Sequence, residues 1–316
     1  MNINSKIATA VVIIVVAIGG RAVSLGAALH SSTQRKPDKA RPAEKDSRPV
    51  ALPHSVTFRE VRGRGLLVST WINSAGPFTF AIDTGAGITI ISPRVAAEAA
   101  VPVREGPQPS LAGLSGATVS ASEGTVQSIA LGDSQNRLPA RTQVIVSNGL
   151  PRDLDGLLDP NEAFGQLGYS IDIPHQDLSF FDPHQSALST RSQPAEGAVV
   201  SWLQQGSSRR PFVMLSTGEQ ALIDTGSSLG FAVRDSNPTS PPSRSSVVRD
   251  VGGSVSTHHV APRTVSIGSL VLRNVPTDVI AGATSDAPVL LGMSALHPFR
   301  LRFDPLHRLI EIAPSH

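Results

Sequence analysis

The chain has 316 residues, 40% of them hydrophobic and 16% charged, with 27 Lys and Arg against 25 Asp and Glu and a formal net charge of +2. That length suits one to three domains, and a near-balanced charge without a long basic stripe argues against nucleic-acid binding. There is no cysteine, which excludes disulfides, thiolate metal sites and a Cys nucleophile.

Gly and Pro are plentiful, at 27 and 25, and aromatics make up only 4%. Such a composition favours short strands and turns over long helices. The N-terminus departs from this pattern. After Lys6, the run Ile7 to Gly20 is apolar except for Thr9, and Arg21 separates it from a second mostly apolar stretch, Ala22 to Leu29. A positive start, a short apolar core and the small residues Gly26-Ala27-Ala28 fit a secretory signal over residues 1–30. Read through Arg21, the same stretch serves as an uncleaved anchor, although the positive charges that follow it would favour holding that side in the cytoplasm. The expected location is therefore exported, in the cell envelope or periplasm, with a membrane tether as the variant.

Residues 31–60 begin Pro-rich and charged, without apolar periodicity, and are expected to form a disordered tether. A strand-rich body follows from about Gly63. Its first strands are predicted at Gly65 to Ile72, Pro77 to Asp83 and Ile88 to Ser92, with alternation clearest in Phe78-Thr79-Phe80. Pro93 to Ala100 reads as one or two helical turns, capped by Ser92 with Pro93 at the first position. Residues 183–197 form a polar break and divide the body into lobes at 61–182 and 198–316. Asp235 to Ser246 is Ser- and Pro-rich and reads as an insertion loop.

The body carries the same triplet twice. Asp83-Thr84-Gly85 and Asp224-Thr225-Gly226 each follow an Ile, and they lie 141 residues apart. Each is followed by a glycine turn (Gly113-Leu114-Ser115-Gly116; Gly252-Gly253), then an apolar pair (Leu157-Leu158; Leu290-Leu291). A closing hairpin ends each half, at Tyr169 to Phe181 and Phe299 to Ile312. A repeat of this length is a duplicated domain rather than a solenoid. An Asp on a tight turn at a strand end has a fixed direction, Gly permits close backbone approach, and Thr offers a hydroxyl to the opposite loop. Two such turns give two carboxyls that share one proton, because like charges a few ångströms apart resist joint ionisation. That pair suits general acid–base hydrolysis of a peptide bond by water, without metal or organic cofactor.

With Ala86-Gly87 and Ser227-Ser228 after the triplets, and Val289-Leu290-Leu291-Gly292 downstream, the chain resembles the single-chain, two-lobed aspartic peptidases from about Gly63 to Pro314. The features around Asp83 lean to the retroviral-type branch in tandem, and Ser227-Ser228 leans to the pepsin branch. The resemblance implies an all-β fold with two pseudo-symmetric β-barrel-like lobes and few short helices. It implies a monomeric endopeptidase acting on extended polypeptide substrates with apolar residues at the scissile bond. Asp83 and Asp224 would be catalytic, supported by Thr84, Gly85, Thr225, Gly226 and Ser227. Gly113, Leu114, Ser115 and Gly116 would form a flap over substrate.

Three departures bear on this. Asp159 stands where the family has Gly, and the chain's one tyrosine is Tyr169, so a flap tyrosine is lacking. Ala86 has no hydroxyl for the outer oxygen of Asp83, whereas Ser227 offers one to Asp224. That asymmetry predicts a pH optimum less acidic than pepsin's.

Other readings compete. A lone Asp-Thr-Gly is most simply a hairpin turn, but two matched copies weigh against that. Gly226-Ser227-Ser228-Leu229-Gly230 fits a serine-hydrolase elbow, which needs a helix straight after the serine. His258-His259 would point to opposite faces of a strand, so a surface pair outweighs a metal site. Asp153, Asp155 and Asp159 read as a solvated turn. The remaining alternative is a non-catalytic module that retains the peptidase fold and holds an extended peptide.

Overall fold

The structure is a computed structural model that describes residues 10–11, 51–104, 110–139, 141–205, 208–234, 245–281 and 287–315. The signal or anchor reading, most of the tether and residues 235–244 of the expected insertion lie outside these residues. Among the described residues, no helix is long and apolar enough to cross a membrane.

Alternating side chains become paired strands in three sheets. The first runs in the order Arg59–Val61, Gly65–Ile72, Ala75–Ile82, Gly156–Leu158, Thr89–Ile91, Thr142–Ser147, Thr118–Val126, Ser110–Ala112, with Ile129–Leu131 also paired to Gly65–Ile72. The second runs Ser245–Asp250, Gly253–Ile267, Leu270–Ala281, Phe231–Arg234, Val289–Gly292, Gln220–Asp224, Ser208–Met214, Leu203–Gln205. Ala10–Val11 adds in parallel to the Ser245–Asp250 edge. The predicted strands around Asp83 are found within a residue or two of their expected ends. Pairing starts earlier than the tether reading allowed, because Val56–Thr57 and Arg59–Val61 are already strands and Phe58 between them is buried.

The third sheet joins the two halves. Its order is Ala198–Ser201, Leu309–Pro314, Phe299–Asp304, Gly168–Asp172, Asp177–Phe181, Val56–Thr57. The closing hairpins predicted for each half meet at its centre, with Tyr169 opposite Phe303. Their rings stack at 4.6 Å and 16°, while Trp202 meets Phe303 edge-on at 6.0 Å. Such aromatic contacts add to the area the rings bury. The all-β expectation holds, but no sheet closes into a barrel. Each half gives its last hairpin to the joining sheet instead of closing on itself.

Three short helices complete the described residues: Pro93–Glu98, Pro160–Ala163 and Met293–Leu296. The first starts as predicted, with Ser92 Oγ accepting from Val95 N–H at 3.2 Å and Pro93 where no intrahelical donor is needed.

Candidate active site

Each Asp-Thr-Gly ends a strand whose neighbour threads behind it. Gly156–Leu158 runs parallel to Ala75–Ile82 and antiparallel to Thr89–Ile91, the two strands that flank the first triplet. Val289–Gly292 does the same between Gln220–Asp224 and Phe231–Arg234. The apolar pairs singled out in the sequence are the central residues of these threads. Asp83 N–H donates to Leu158 O at 2.9 Å, which fixes the first turn against its thread.

The two triplets face each other. Thr84 Oγ1 donates to Ile223 O at 2.7 Å and accepts from Thr225 N–H at 3.1 Å. Thr225 Oγ1 donates to Ile82 O at 3.0 Å and accepts from Thr84 N–H at 3.1 Å. All these groups are buried, so each bond stands between a polar group and its full desolvation cost.

The glycines set the approach. A β-carbon on Gly85 would lie 2.7 Å from Asp224 Cγ, and one on Gly226 would lie 2.3 Å from Asp83 Cγ. Neither position admits a larger residue unless the carboxyls move apart.

Asp83 and Asp224 are both fully buried. Their inner oxygens, Oδ1, accept from Gly85 N–H at 2.9 Å and from Gly226 and Ser227 N–H at 2.9 and 3.1 Å. The outer oxygens, Oδ2, meet no donor among the described residues. The two carboxyls lie within hydrogen-bonding reach of each other, a bond that exists only if one of them keeps its proton.

Burial raises both pKa values, and Asp83 is raised further by the neighbouring Asp224 carboxyl. Asp224 is pushed up to about 7, held back by the Gly226 and Ser227 N–H groups, by Asp83 and by the nearby Arg210 charge. Asp83 has only Gly85 N–H on its ionised side, and the Asp159 carboxyl raises it further. The titration belongs to the pair, and the additional Ser227 N–H and the Arg210 charge favour the ionised form of Asp224, whereas the ionised form of Asp83 has Gly85 N–H alone. The pair is asymmetric, as the sequence suggested, but through a different route. Ser227 Oγ accepts from Leu229 N–H at 3.3 Å and is not bonded to the outer oxygen of Asp224.

Asp159 also corrects an expectation. Asp153 and Asp155 form exposed or half-exposed ion pairs with Arg64 and Arg94, but Asp159 is fully buried. It caps the Pro160–Ala163 helix by accepting from Asn161 N–H at 3.0 Å. Burial pushes its carboxyl up to about 8, which favours the neutral form. Its neighbour Asn161 was not picked out from the sequence. Asn161 donates to Thr84 O at 3.1 Å and accepts from Tyr169 O–H at 2.5 Å, linking the joining sheet to the first triplet. An Asn three residues past the apolar pair was the available signal.

The glycine turn Gly113–Gly116 is the tip of the hairpin formed by Ser110–Ala112 and Thr118–Val126. A second hairpin, Ser245–Asp250 with Gly253–Ile267, was marked in the sequence only by Gly252-Gly253. The tips meet. Leu114 leaves its own half and joins an apolar cluster otherwise built from Phe212 onward, including Leu222, Leu229 and Leu290. Val251 crosses the other way, into a cluster of Leu67, Ala81, Ile90, Leu111 and Leu157. Ala81 and Leu222 each lie two residues before an aspartate, on the same strand face, so these clusters flank the dyad.

The remaining sequence candidates separate from this centre. Ser228 is followed by the strand Phe231–Arg234 rather than a helix, which removes the serine-hydrolase elbow. His259 pairs with Asp278 at 2.6 Å, and no metal-binding group of His, Asp or Glu occurs among the described residues.

Comparison with known proteins agrees with this geometry over part of the chain. No curated protein matches the chain. Residues 68–158 match the family model described as aspartyl protease. The match runs from Val68, within the strand Gly65–Ile72, to Leu158, so it spans the first triplet, its hairpin and its thread, and it supports an aspartyl protease family and protease activity in general for this chain.

Proposed function

We propose that the chain is a single-chain aspartic endopeptidase whose two lobes, 61–182 and 198–316, each contribute one carboxyl to a shared centre. The reciprocal bonding of Thr84 and Thr225 carries this reading. It brings the two triplets face to face, and nothing in an ordinary pair of hairpin turns calls for that.

The chemistry follows from the asymmetry. Asp224, ionised, takes a proton from a water held between the carboxyls. Asp83, protonated, donates to the carbonyl oxygen of the peptide bond. The water oxygen bonds to the carbonyl carbon, giving a gem-diol. The proton taken up by Asp224 then passes to the departing amine as the C–N bond breaks, and Asp83 recovers its proton from the gem-diol hydroxyl as the carboxylic acid forms. Supporting roles fall to Gly85, Gly226 and Ser227 through the N–H groups on the inner oxygens.

Substrates would be extended polypeptides lying between the dyad and the two hairpins. The apolar run from Ile7 would act as an export signal or an envelope anchor.

Digestion of a peptide library with and without pepstatin, with Asp83→Asn as control, tests the activity. Cleavage lost in both arms supports the proposal. Cleavage that persists in Asp83→Asn removes it, and an absence of cleavage together with retained peptide affinity assigns the chain to the non-catalytic binding alternative.

A further inference from the structure

One end of the covered cleft is basic. A cavity of about 400 Å³ opens there, lined by Val61, Arg62, Gly63, Arg64, Asp153 and Arg249. Three contacts fix its place. Gly65, next after Arg64, lies against the second triplet, where a β-carbon on it would be 3.7 Å from Thr225 O. Val61 packs against the apolar cluster that receives Val251. Arg249 precedes Asp250 at the end of the second hairpin's first strand. These positions set the cavity beside the second triplet and the second hairpin.

Its charges are not balanced. Arg64 Nε donates to Asp153 Oδ2 at 2.5 Å, which accounts for the lining's one acid. Arg62 and Arg249 are exposed, and neither forms an ion pair among the described residues. Two guanidinium groups lining one cavity, one from each half, match a carboxylate accepting from both.

We infer that this cavity is a specificity subsite for an acidic side chain, Asp or Glu, a few residues from the scissile bond. The inference rests on the peptidase reading and narrows its substrate class to polypeptides that place a carboxylate beside an apolar cleavage site. A half-exposed carboxylate between two arginines carries a preference of about fivefold to tenfold, weakened by salt.

The test uses the full chain and quenched peptides, acetylated and amidated so that the side chain is the sole carboxylate. Glu and Gln are exchanged at each position on both sides of the cleaved bond, and the ratio of kcat/KM is read at low and at roughly 0.5 M salt. One position is expected to favour Glu by about fivefold to tenfold at low salt. The double variant Arg62→Glu, Arg249→Glu is expected to turn that preference towards Lys, a result that loss of folding cannot mimic. Ratios near one at every position, or a Glu preference that survives charge reversal, would overturn the subsite. So would a preference that appears only when the peptide's own C-terminal carboxylate is left free. If no peptide is cleaved, the peptidase reading is what fails, and the subsite is then judged by the same Glu-to-Gln ratio and reversal in peptide-binding anisotropy.

Discussion

Ser115 donates its backbone N–H to Asp250 Oδ2 at 2.6 Å and its hydroxyl to Asp250 Oδ1 at 3.1 Å. These two bonds tie the tip of the first hairpin to the second. The bonds and the exchange of Leu114 and Val251 join the two hairpin tips. Burying two such side chains is worth roughly 1.5–3 kcal/mol each, and hydrogen bonds to a charged acceptor about 1.5–3 kcal/mol. The polar tie is therefore comparable with either apolar insertion.

Removing the acceptor is expected to loosen the cover. Asp250→Ala should raise amide exchange at residues 113–117 and 250–253 and increase kcat/KM several-fold for long substrates. Asp250→Asn, which keeps one acceptor oxygen, should fall between it and wild type. Hydrogen exchange read by mass spectrometry checks this, and unchanged protection at both tips would refute it.

Thr84 and Thr225 make a sharper test of the core of the site. Valine preserves the shape but deletes the hydroxyl, leaving two buried partners unpaired. For Thr84 these are Ile223 O and Thr225 N–H; for Thr225 they are Ile82 O and Thr84 N–H. At about 1–3 kcal/mol per stranded group, each valine should cost roughly 2–5 kcal/mol in urea unfolding. Thr84→Ser, which keeps both bonds, should cost about 1 kcal/mol for the lost methyl. A valine variant as stable as the serine one would contradict the buried, reciprocal geometry.

What the sequence made legible was local. The strands either side of Asp83, the Ser92 cap and the closing hairpins are all set by side-chain alternation or a capping residue. The joining sheet was not legible, because the pairing of Tyr169 with Phe303 links residues far apart and leaves no periodic trace. The crossing of Leu114 and Val251 is likewise invisible to a reading that takes each half alone. Asp159 was misread because an acid beside two others suggests solvent. The thread through Leu157 and Leu158 carries it inward instead, where capping a helix compensates part of the burial.

Asp159 is expected to make stability depend on pH. Its folded-state pKa is raised to about 8, whereas an unfolded Asp releases its proton near 4. Between those values the unfolded chain binds fewer protons, so stability falls as pH rises through the window and levels off above it. Asp159→Asn keeps an oxygen for Asn161 N–H and removes the titration. From pH 5 to pH 9, wild type should lose a few kcal/mol more than the variant in urea unfolding. Asp83, Asp224 and Glu162 are also raised by burial and remain in both proteins, and Asp83, which the Asp159 charge raises further, is lowered in the variant and so adds to the difference in the same direction. Parallel pH curves for the two proteins would show that Asp159 is not buried and neutral.

The last prediction concerns the pH dependence of catalysis. The proposed mechanism takes Asp224 as ionised and Asp83 as protonated. The acid limb of kcat/KM should therefore report the free enzyme's Asp224, raised to about 7 by burial, and lie well above the ordinary Asp range. The alkaline limb should report loss of the shared proton and lie higher still, because Asp83 is raised both by burial and by the charge beside it. Arg210 supplies a direct check on the assignment. Its positive charge favours ionised Asp224, and its side chain passes Gly87 in the first loop, where a β-carbon would sit 3.3 Å from Arg210 Cδ. Replacing it with Met keeps much of the apolar stem and removes the charge. Asp224 then ionises less readily, so the acid limb should move to higher pH, with the alkaline limb shifted less. An acid limb in the range of an ordinary exposed Asp would mean that the dyad is solvated in the free enzyme. An acid limb unmoved by Arg210→Met would take the charge off Asp224 and reverse the roles of the two aspartates.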